Sequence, residues 1–99
     1  MLVALTTRVL DFGLDVQAAI EAPRWLYGRT WGTQTRALSI EGRFEARVAQ
    51  ELRERGHHVR VLEPWSDTLG HAEAIWLDRG TGLLLGGGDP RGDAPALGI

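Results

Sequence analysis

Residues 72–88 read AEAIWLDRGTGLLLGGG, two apolar runs separated by the turn-forming sequence DRGTG. Small and large side chains alternate along residues 72–78, a pattern that predicts a β-strand with one larger apolar face. The turn leads directly into a second apolar run at residues 83–85, so we predict that the two runs form a hairpin. We also expect burial of the large apolar side chains of this hairpin, which are Ile75, Trp76, Leu77, Leu83, Leu84 and Leu85.

Two helices are predicted at the start of the chain. Apolar residues recur every three or four positions along residues 2–12, which predicts one apolar helix face. Asp15 is a suitable N-cap for a second, short helix at residues 16–21. Pro23 ends that helix, because the residue before a proline is pushed out of the α region.

The middle of the chain contains the clearest helix and three candidate strands. The helix covers residues 43–55 and is followed by Gly56, the residue type expected just after a helix C-terminus. Residues 24–27, 36–40 and 58–63 are predicted strands. Together with the hairpin, these elements predict an α+β fold with a largely antiparallel sheet and helices packed on one face.

Length and composition limit the possible function classes. Residues 1–99 are long enough for one domain or a domain fragment. A net charge of −2 gives no electrostatic reason to expect nucleic acid as a partner, and the lack of cysteine excludes disulfides and Cys-ligated metals. No apolar run approaches the ~18 residues of a membrane span. Because Arg8 interrupts the apolar N-terminal stretch, we do not expect a signal peptide there.

Tryptophan is abundant for this length, at positions 25, 31, 65 and 76. If these side chains are buried, they supply much of a thin core. If they are exposed, they mark a surface that meets another part of a larger protein.

Six short motifs span nearly the whole chain. They are LDFG (10–13), AIEAPR (19–24), EGRF (41–44), ELRERGHHV (51–59), GHAEAI (70–75) and GDPRGDA (88–94), the last followed by ALGI (96–99). In order and spacing they resemble the end of the small subunit of γ-glutamyltranspeptidases. The chain departs from the family pattern at Glu73, where glutamine is usual, and at Gly87, where serine or alanine is commoner. These two departures concern fine specificity rather than the family.

The resemblance implies an N-terminal-nucleophile hydrolase with two sheets between helix layers. Enzymes of this family cleave themselves, and the new N-terminal threonine attacks a γ-glutamyl amide and passes the acyl group to water or an amino acid. The threonine hydroxyl and its own α-amine form the nucleophile–base pair, and a Gly-Gly turn supplies the oxyanion donors. In the matched register both precede Met1. We therefore expect no catalytic residue, no cofactor and no γ-glutamyl activity in this chain alone. The resemblance also implies that relatives are often periplasmic or extracellular, but it leaves the location of this chain open.

Several residues invite functional interpretations. Thr6 and Thr7 look like the family's threonine nucleophile, but their position before the LDFG motif places them inside the first helix. His57, His58 and His71 suggest a metal site, yet their spacing is not that of metal ligands, and we expect surface histidines and no bound metal.

Asp89 and Arg91 are the candidate substrate-binding residues. Arg91 has the geometry to hold a carboxylate with two hydrogen bonds. The alternative is a structural ion pair within a turn, which we favour because Asp-Pro and Arg-Gly are turn dipeptides. The glycines at 86–88 do not form a nucleotide-binding loop, because neither Lys-Ser/Thr nor a helix-entering GxGxxG pattern accompanies them.

Three interpretations of the whole chain stay open at this point. The first is a structural segment of a γ-glutamyltransferase-like enzyme that is inactive alone. The second is a subunit of a split enzyme that binds a separate catalytic chain. The third is a free-standing protein-interaction domain. For the isolated chain we predict a homodimer through the first helix and residues 24–31, since soluble monomers rarely expose large apolar patches.

Overall fold

The structure is a computed structural model that describes residues 2–28, 34–93 and 95–97. Trp31 therefore lies outside the described residues. The elements in chain order are α1 (Leu2–Leu10), α2 (Val16–Glu21), β1 (Trp25–Tyr27), β2 (Leu38–Glu41), α3 (Ala46–Glu54), β3 (Val59–Leu62), a 3₁₀ turn (Asp67–Leu69), β4 (Glu73–Leu77) and β5 (Leu84–Gly88). The chain divides into two compact units: unit 1 is Met1–Ala22 with Gly70–Ile99, and unit 2 is Pro23–Leu69. The assignment of residues 1–99 to one domain or domain fragment stays a prediction.

Unit 2 is a three-stranded sheet in the order β1-β2-β3, with α3 packed on it. β1 and β2 pair antiparallel, whereas β2 and β3 pair parallel because α3 carries the chain back between them. Ile40, Ala49 and Val59 form the buried core between sheet and helix. Gly56 takes a φ of +94° directly after α3, as the sequence predicted.

Unit 1 contains α1, α2 and the predicted hairpin. β4 and β5 pair antiparallel, with Trp76 opposite Leu85. α2 begins at Asp15, whose carboxylate accepts a hydrogen bond of 2.7 Å from the Ala18 N–H. Its buried residues Val16 and Ile20 pack on one face of the hairpin beside Ala72.

Gly87 in β5 lets α2 approach the hairpin closely. A Cβ atom at Gly87 would lie 2.9 Å from both Ile20 Cδ1 and Val16 Cγ1. A larger residue there would require the Ile20 and Val16 side chains, or α2 itself, to move. α2 therefore packs on the part of the hairpin that contains Gly87. The part that contains the leucines of β5 is not covered by α2.

The expected burial of the hairpin side chains is wrong for this chain. Ile75 is 74% exposed and Leu84 68% exposed, and even Trp76 is 41% exposed. The alternation predicts a strand but does not say whether another element covers it. Within the described residues α2 covers only the glycine end of one hairpin face.

α1 is also open to solvent. The helix ends at Leu10 rather than at the predicted residue 12, and it has no buried side chain. Leu2 in the helix and Phe12 in the turn after it are both 74% exposed. Trp25 and Trp65 are exposed to a similar degree as Trp76. The tryptophans that the structure describes therefore belong to the surface rather than the core.

The fold class is confirmed as α+β, with two of the three strand pairings of the described residues antiparallel. α3 packs on the sheet of unit 2 and α2 packs on the hairpin of unit 1. Across residues 2–28, 34–93 and 95–97, no helix has the length and apolar character needed to cross a membrane.

Candidate functional site

The turn that follows β5 holds a buried ion pair. Arg91 Nη1 lies 3.0 Å from Asp89 Oδ1, and both side chains are almost completely shielded from solvent. A buried pair needs good geometry and further hydrogen bonds to offset the cost of desolvating two charges. Both residues have such bonds within unit 1.

Arg91 holds the C-terminal end of α2. Its Nη1 donates to the carbonyl oxygen of Ile20 at 3.0 Å, and its Nη2 donates to that of Ala22 at 3.2 Å. The last carbonyl groups of a helix have no partner within the helix, so an arginine at this position satisfies them. Arg91 therefore connects the chain terminus to α2.

Asp89 holds the start of β4. Its Oδ2 accepts a hydrogen bond of 2.7 Å from the Ala72 N–H, and its Oδ1 accepts one of 3.0 Å from the Arg91 N–H. These contacts correspond to the structural ion pair that the sequence favoured. Substrate binding by Asp89 and Arg91 stays a prediction.

Gln17 makes a third polar connection that sequence reasoning missed. Its side-chain amide donates to the Gly88 carbonyl oxygen at 2.9 Å and accepts from the Gly88 N–H at 3.0 Å. The amide thus pairs with β5 as a neighbouring strand residue would. No local signal marks this contact, because the two residues are 71 positions apart.

A cavity of about 550 Å³ lies beside the turn. Its lining includes Gln17, Gly88, Asp89, Asp93 and Pro95.

Unit 2 has its own buried carboxylate, Glu41, which is fully shielded from solvent. Its Oε1 accepts from the Arg24 N–H at 2.9 Å and from Arg43 Nη2 at 3.2 Å, while its Oε2 accepts from the Ser66 N–H at 3.0 Å. The guanidinium of Arg43 also stacks over the Trp65 ring, 3.4 Å from its centre. This cluster links β2 to the segments before β1 and after β3.

The role of Glu41 was not foreseen, although it belongs to the EGRF motif. A glutamate at the end of a strand is most often solvent-exposed. Here the chain's own donors surround it, so the described geometry is that of a structural connection.

The threonine and histidine candidates have ordinary environments. Thr6 and Thr7 lie within α1 as predicted, and their hydroxyl groups donate to the carbonyl oxygens of Leu2 and Ala4. His57, His58 and His71 are exposed. In the part of the chain that the structure describes, no three His, Asp or Glu side chains are grouped closely enough to hold a metal ion.

Sequence comparison identifies close relatives over the whole chain. The family model described as gamma-glutamyltranspeptidase matches residues 1–99. The chain is 47% identical over 96 residues to the glutathione hydrolase-like YwrD proenzyme of Bacillus subtilis, which covers 97% of this chain. It is 46% identical over 95 residues, or 96% of its length, to the oxamate amidohydrolase proenzyme of Klebsiella pneumoniae. The chain spans 18% of the length of each of these relatives.

Solved structures give the same result for the fold. Cephalosporin acylase from Bacillus halodurans is 35% identical and superposes with a TM-score of 0.76. The match covers 97% of this chain and 17% of the acylase chain. The γ-glutamyltranspeptidase of Pseudomonas nitroreducens also superposes with a TM-score of 0.76 at 21% identity, covering 99% of this chain and 48% of its own. The fold is thus shared with part of these N-terminal-nucleophile hydrolases. From its motifs, its fold and its relatives, the chain belongs to the γ-glutamyltranspeptidase family.

Proposed function

We propose that this chain is a structural segment of an amide-cleaving enzyme of the γ-glutamyltranspeptidase family and has no activity alone. Its partner is the catalytic portion, which supplies the N-terminal threonine nucleophile. The same role is possible within one continuous chain or in a split enzyme with a separate catalytic chain.

The observation that carries this proposal is the exposed apolar surface of unit 1. Ile75, Leu77 and Leu84 lie on the hairpin face opposite α2, and each is more than half exposed. Leu2 and Phe12 add further exposed apolar area around α1. Burying a leucine-sized side chain stabilises a protein by about 1.5–3 kcal/mol, so a partner that covers this surface gains considerable binding energy.

The polar residues of unit 1 support the same role. Asp89, Arg91 and Gln17 use their side chains on backbone groups of the chain itself. These three side chains fix the positions of α2 and the hairpin. In our proposal the residues that react with the substrate belong to the catalytic portion.

The relatives indicate the class of chemistry. The glutathione hydrolase-like protein, the oxamate amidohydrolase and the cephalosporin acylase are all named for the cleavage of an amide bond. We propose amide cleavage as the reaction of the assembled enzyme, with a γ-glutamyl amide or a small amide such as oxamate as the acyl donor. The net charge of −2 gives no reason to add nucleic acid as a partner, and we propose no membrane partner.

Self-association is the second candidate. Two copies of the isolated chain would cover each other's exposed surface on α1. In unit 2, Trp25 and Tyr27 are separately exposed and available for self-association. Sedimentation equilibrium at micromolar concentration tests it. A species of twice 10.9 kDa is expected, and a monomer without dye-binding apolar surface contradicts the homodimer.

A chimaera tests the proposed function. The matching 95 residues of the Klebsiella relative are replaced by this chain, and proenzyme cleavage and ammonium release from oxamate are measured. We expect a cleaved, active chimaera, an inactive isolated chain, and no cleavage in a control from which the segment is deleted. An isolated chain that releases ammonium from oxamate, or a chimaera that behaves like the deletion control, contradicts the proposal.

A further inference from the structure

The EGRF motif at residues 41–44 contacts both ends of unit 2. This unit is one continuous segment, Pro23–Leu69, inserted between the two parts of unit 1. Bringing the ends of such a segment together costs conformational entropy. Contacts that hold the entering and leaving ends to each other therefore contribute directly to the stability of the insert.

Glu41 binds the entering end through both its backbone and its side chain. The Glu41 N–H donates to the Arg24 carbonyl oxygen at 2.9 Å, and Oε1 of Glu41 accepts from the Arg24 N–H, also at 2.9 Å. These two contacts fix the chain directly after Pro23, the first residue of unit 2.

The same carboxylate holds the leaving end. Its Oε2 accepts from the Ser66 N–H at 3.0 Å, and the Ser66 carbonyl oxygen accepts in turn from the N–H of Leu69, the last residue of unit 2. Arg43 adds a second contact, because its Nε donates to the Pro64 carbonyl oxygen at 2.8 Å. Two neighbouring side chains of the motif thus bind the leaving segment.

Gly42 gives independent evidence that this region is closely packed. A Cβ atom at this position would lie 2.9 Å from the carbonyl oxygen of Leu62, which is a backbone atom at the end of β3. A larger residue at position 42 would push the leaving segment away from Glu41. Phe44, the last residue of the motif, packs against the buried core of unit 2.

The contacts of Glu41 are shielded from water. Glu41 has no exposed surface, Ser66 is 1% exposed and Arg24 is 3% exposed. Buried polar groups that lose their partners cannot replace them with water unless the structure opens. Loss of these contacts is therefore expected to open the unit rather than to hydrate it locally.

Unit 1 has a matching arrangement on either side of the insert. Arg91 binds the carbonyl oxygen of Ala22, the last residue before unit 2, and Asp89 binds the N–H of Ala72, shortly after it. Each unit thus holds its own two ends by means of a buried carboxylate.

We infer that Glu41, Gly42 and Arg43 form a clasp that closes unit 2 as a separate cooperative part of the fold, so that unit 2 opens and recloses while unit 1 stays folded. Such sub-global opening is a general mode of protein motion. The inference goes beyond the proposed function, because it concerns contacts within this chain and holds with or without the catalytic portion.

Amide hydrogen exchange at single-residue resolution in the 99-residue chain tests the clasp. Glu41→Gln keeps the size of the side chain but removes its charge and replaces one acceptor oxygen with a donor group. We expect the amides of Ala49 and Leu52 in α3 to exchange at least ~10-fold faster. The amides of Ala19 and Ile20 in α2 are expected to change less than ~3-fold.

Two further variants complete the comparison. Glu45→Gln makes the same substitution at an exposed side chain of unit 2 and is expected to leave exchange in both units unchanged. Asp89→Asn is the reciprocal variant in unit 1. It is expected to accelerate exchange at least ~10-fold at Ala19 and Ile20 and to change that of Ala49 less than ~3-fold.

The outcomes decide the inference. Equal acceleration in α2 and α3 for Glu41→Gln, including a complete loss of protection in both helices, shows that the chain unfolds as one cooperative whole and overturns it. Unchanged exchange at Ala49 and Leu52 shows that Glu41 does not close unit 2, which also overturns it. Asp89→Asn contradicts the inference if exchange rises as much in unit 2 as in unit 1.

Discussion

Units 1 and 2 bury different parts of their sheets. In unit 2, α3 covers the central strand, so Ile40 is only 3% exposed and Val59 is also buried. In unit 1, α2 covers the glycine end of the hairpin, and the large side chains of β4 and β5 stay exposed. Both units contain a well-connected buried carboxylate, Glu41 in one and Asp89 in the other.

The difference shows where each unit obtains its stability. Unit 2 has a helix of nine residues that runs between two parallel strands and covers them. Unit 1 has a helix of only six residues against its hairpin, too short to cover ten strand residues. Unit 1 therefore depends on its polar connections and, in our proposal, on a partner. Unit 2 still presents an apolar cleft of about 400 Å³ beside Trp25 and Tyr27.

The largest expected effect is the loss of the Arg91 connection in unit 1. Arg91→Ala leaves the buried Asp89 without its cation and the carbonyl oxygens of Ile20 and Ala22 without a donor. Breaking a buried ion pair costs about 3–5 kcal/mol, which approaches the whole stability of a small domain. Urea denaturation measures the effect, with Arg79→Ala in the exposed turn as control. A loss below ~1 kcal/mol would show that the pair is dispensable.

A matched pair of isoleucines tests the comparison itself. Ile40→Ala in unit 2 is expected to lower the free energy of unfolding by about 2–5 kcal/mol, because it leaves a cavity in the core. Ile75→Ala in unit 1 changes an exposed side chain and is expected to cost less than ~0.5 kcal/mol in the isolated chain. Both values come from chemical denaturation. Equal costs would refute the contrast between a covered and an open sheet.

The same pair sharpens the contrast when it is placed in the chimaera. There, Ile75→Ala is expected to become costly, because the partner covers this side chain, while the cost of Ile40→Ala stays similar. If Ile75→Ala remains neutral in the chimaera, the face of β4 is not an interface.

The smallest expected effect concerns the turn at the tip of the hairpin. A hydrogen bond from the Thr81 side chain, together with one from the Gly80 N–H, lowers the pKa of Asp78 below its usual value of 3.8. Because the folded pKa lies below the unfolded one, this contribution to stability is present above pH 3.8 and is lost as the pH falls through the folded pKa. An NMR titration of the Asp78 carboxyl measures the shift, and Thr81→Val should raise the pKa. A pKa at or above 3.8 in the unaltered chain contradicts the prediction.

The sequence by itself determined the local elements and the family. Asp15 starts α2 and Pro23 follows its end, Gly56 ends α3, and DRGTG separates the strands of the hairpin. Each of these signals acts within a few residues through capping, φ preference or turn chemistry, so local patterns suffice to find them. The six motifs added the family because their order and spacing extend over the whole chain.

Only the tertiary structure decided which side chains are covered and which strands are neighbours. The parallel pairing of β2 with β3, the burial of Glu41 and the contact of Gln17 with Gly88 join residues far apart in the sequence. Burial of the hairpin was predicted wrongly for the same reason. An apolar pattern indicates that a surface is suited to burial. Whether that surface is buried depends on the elements that pack against it.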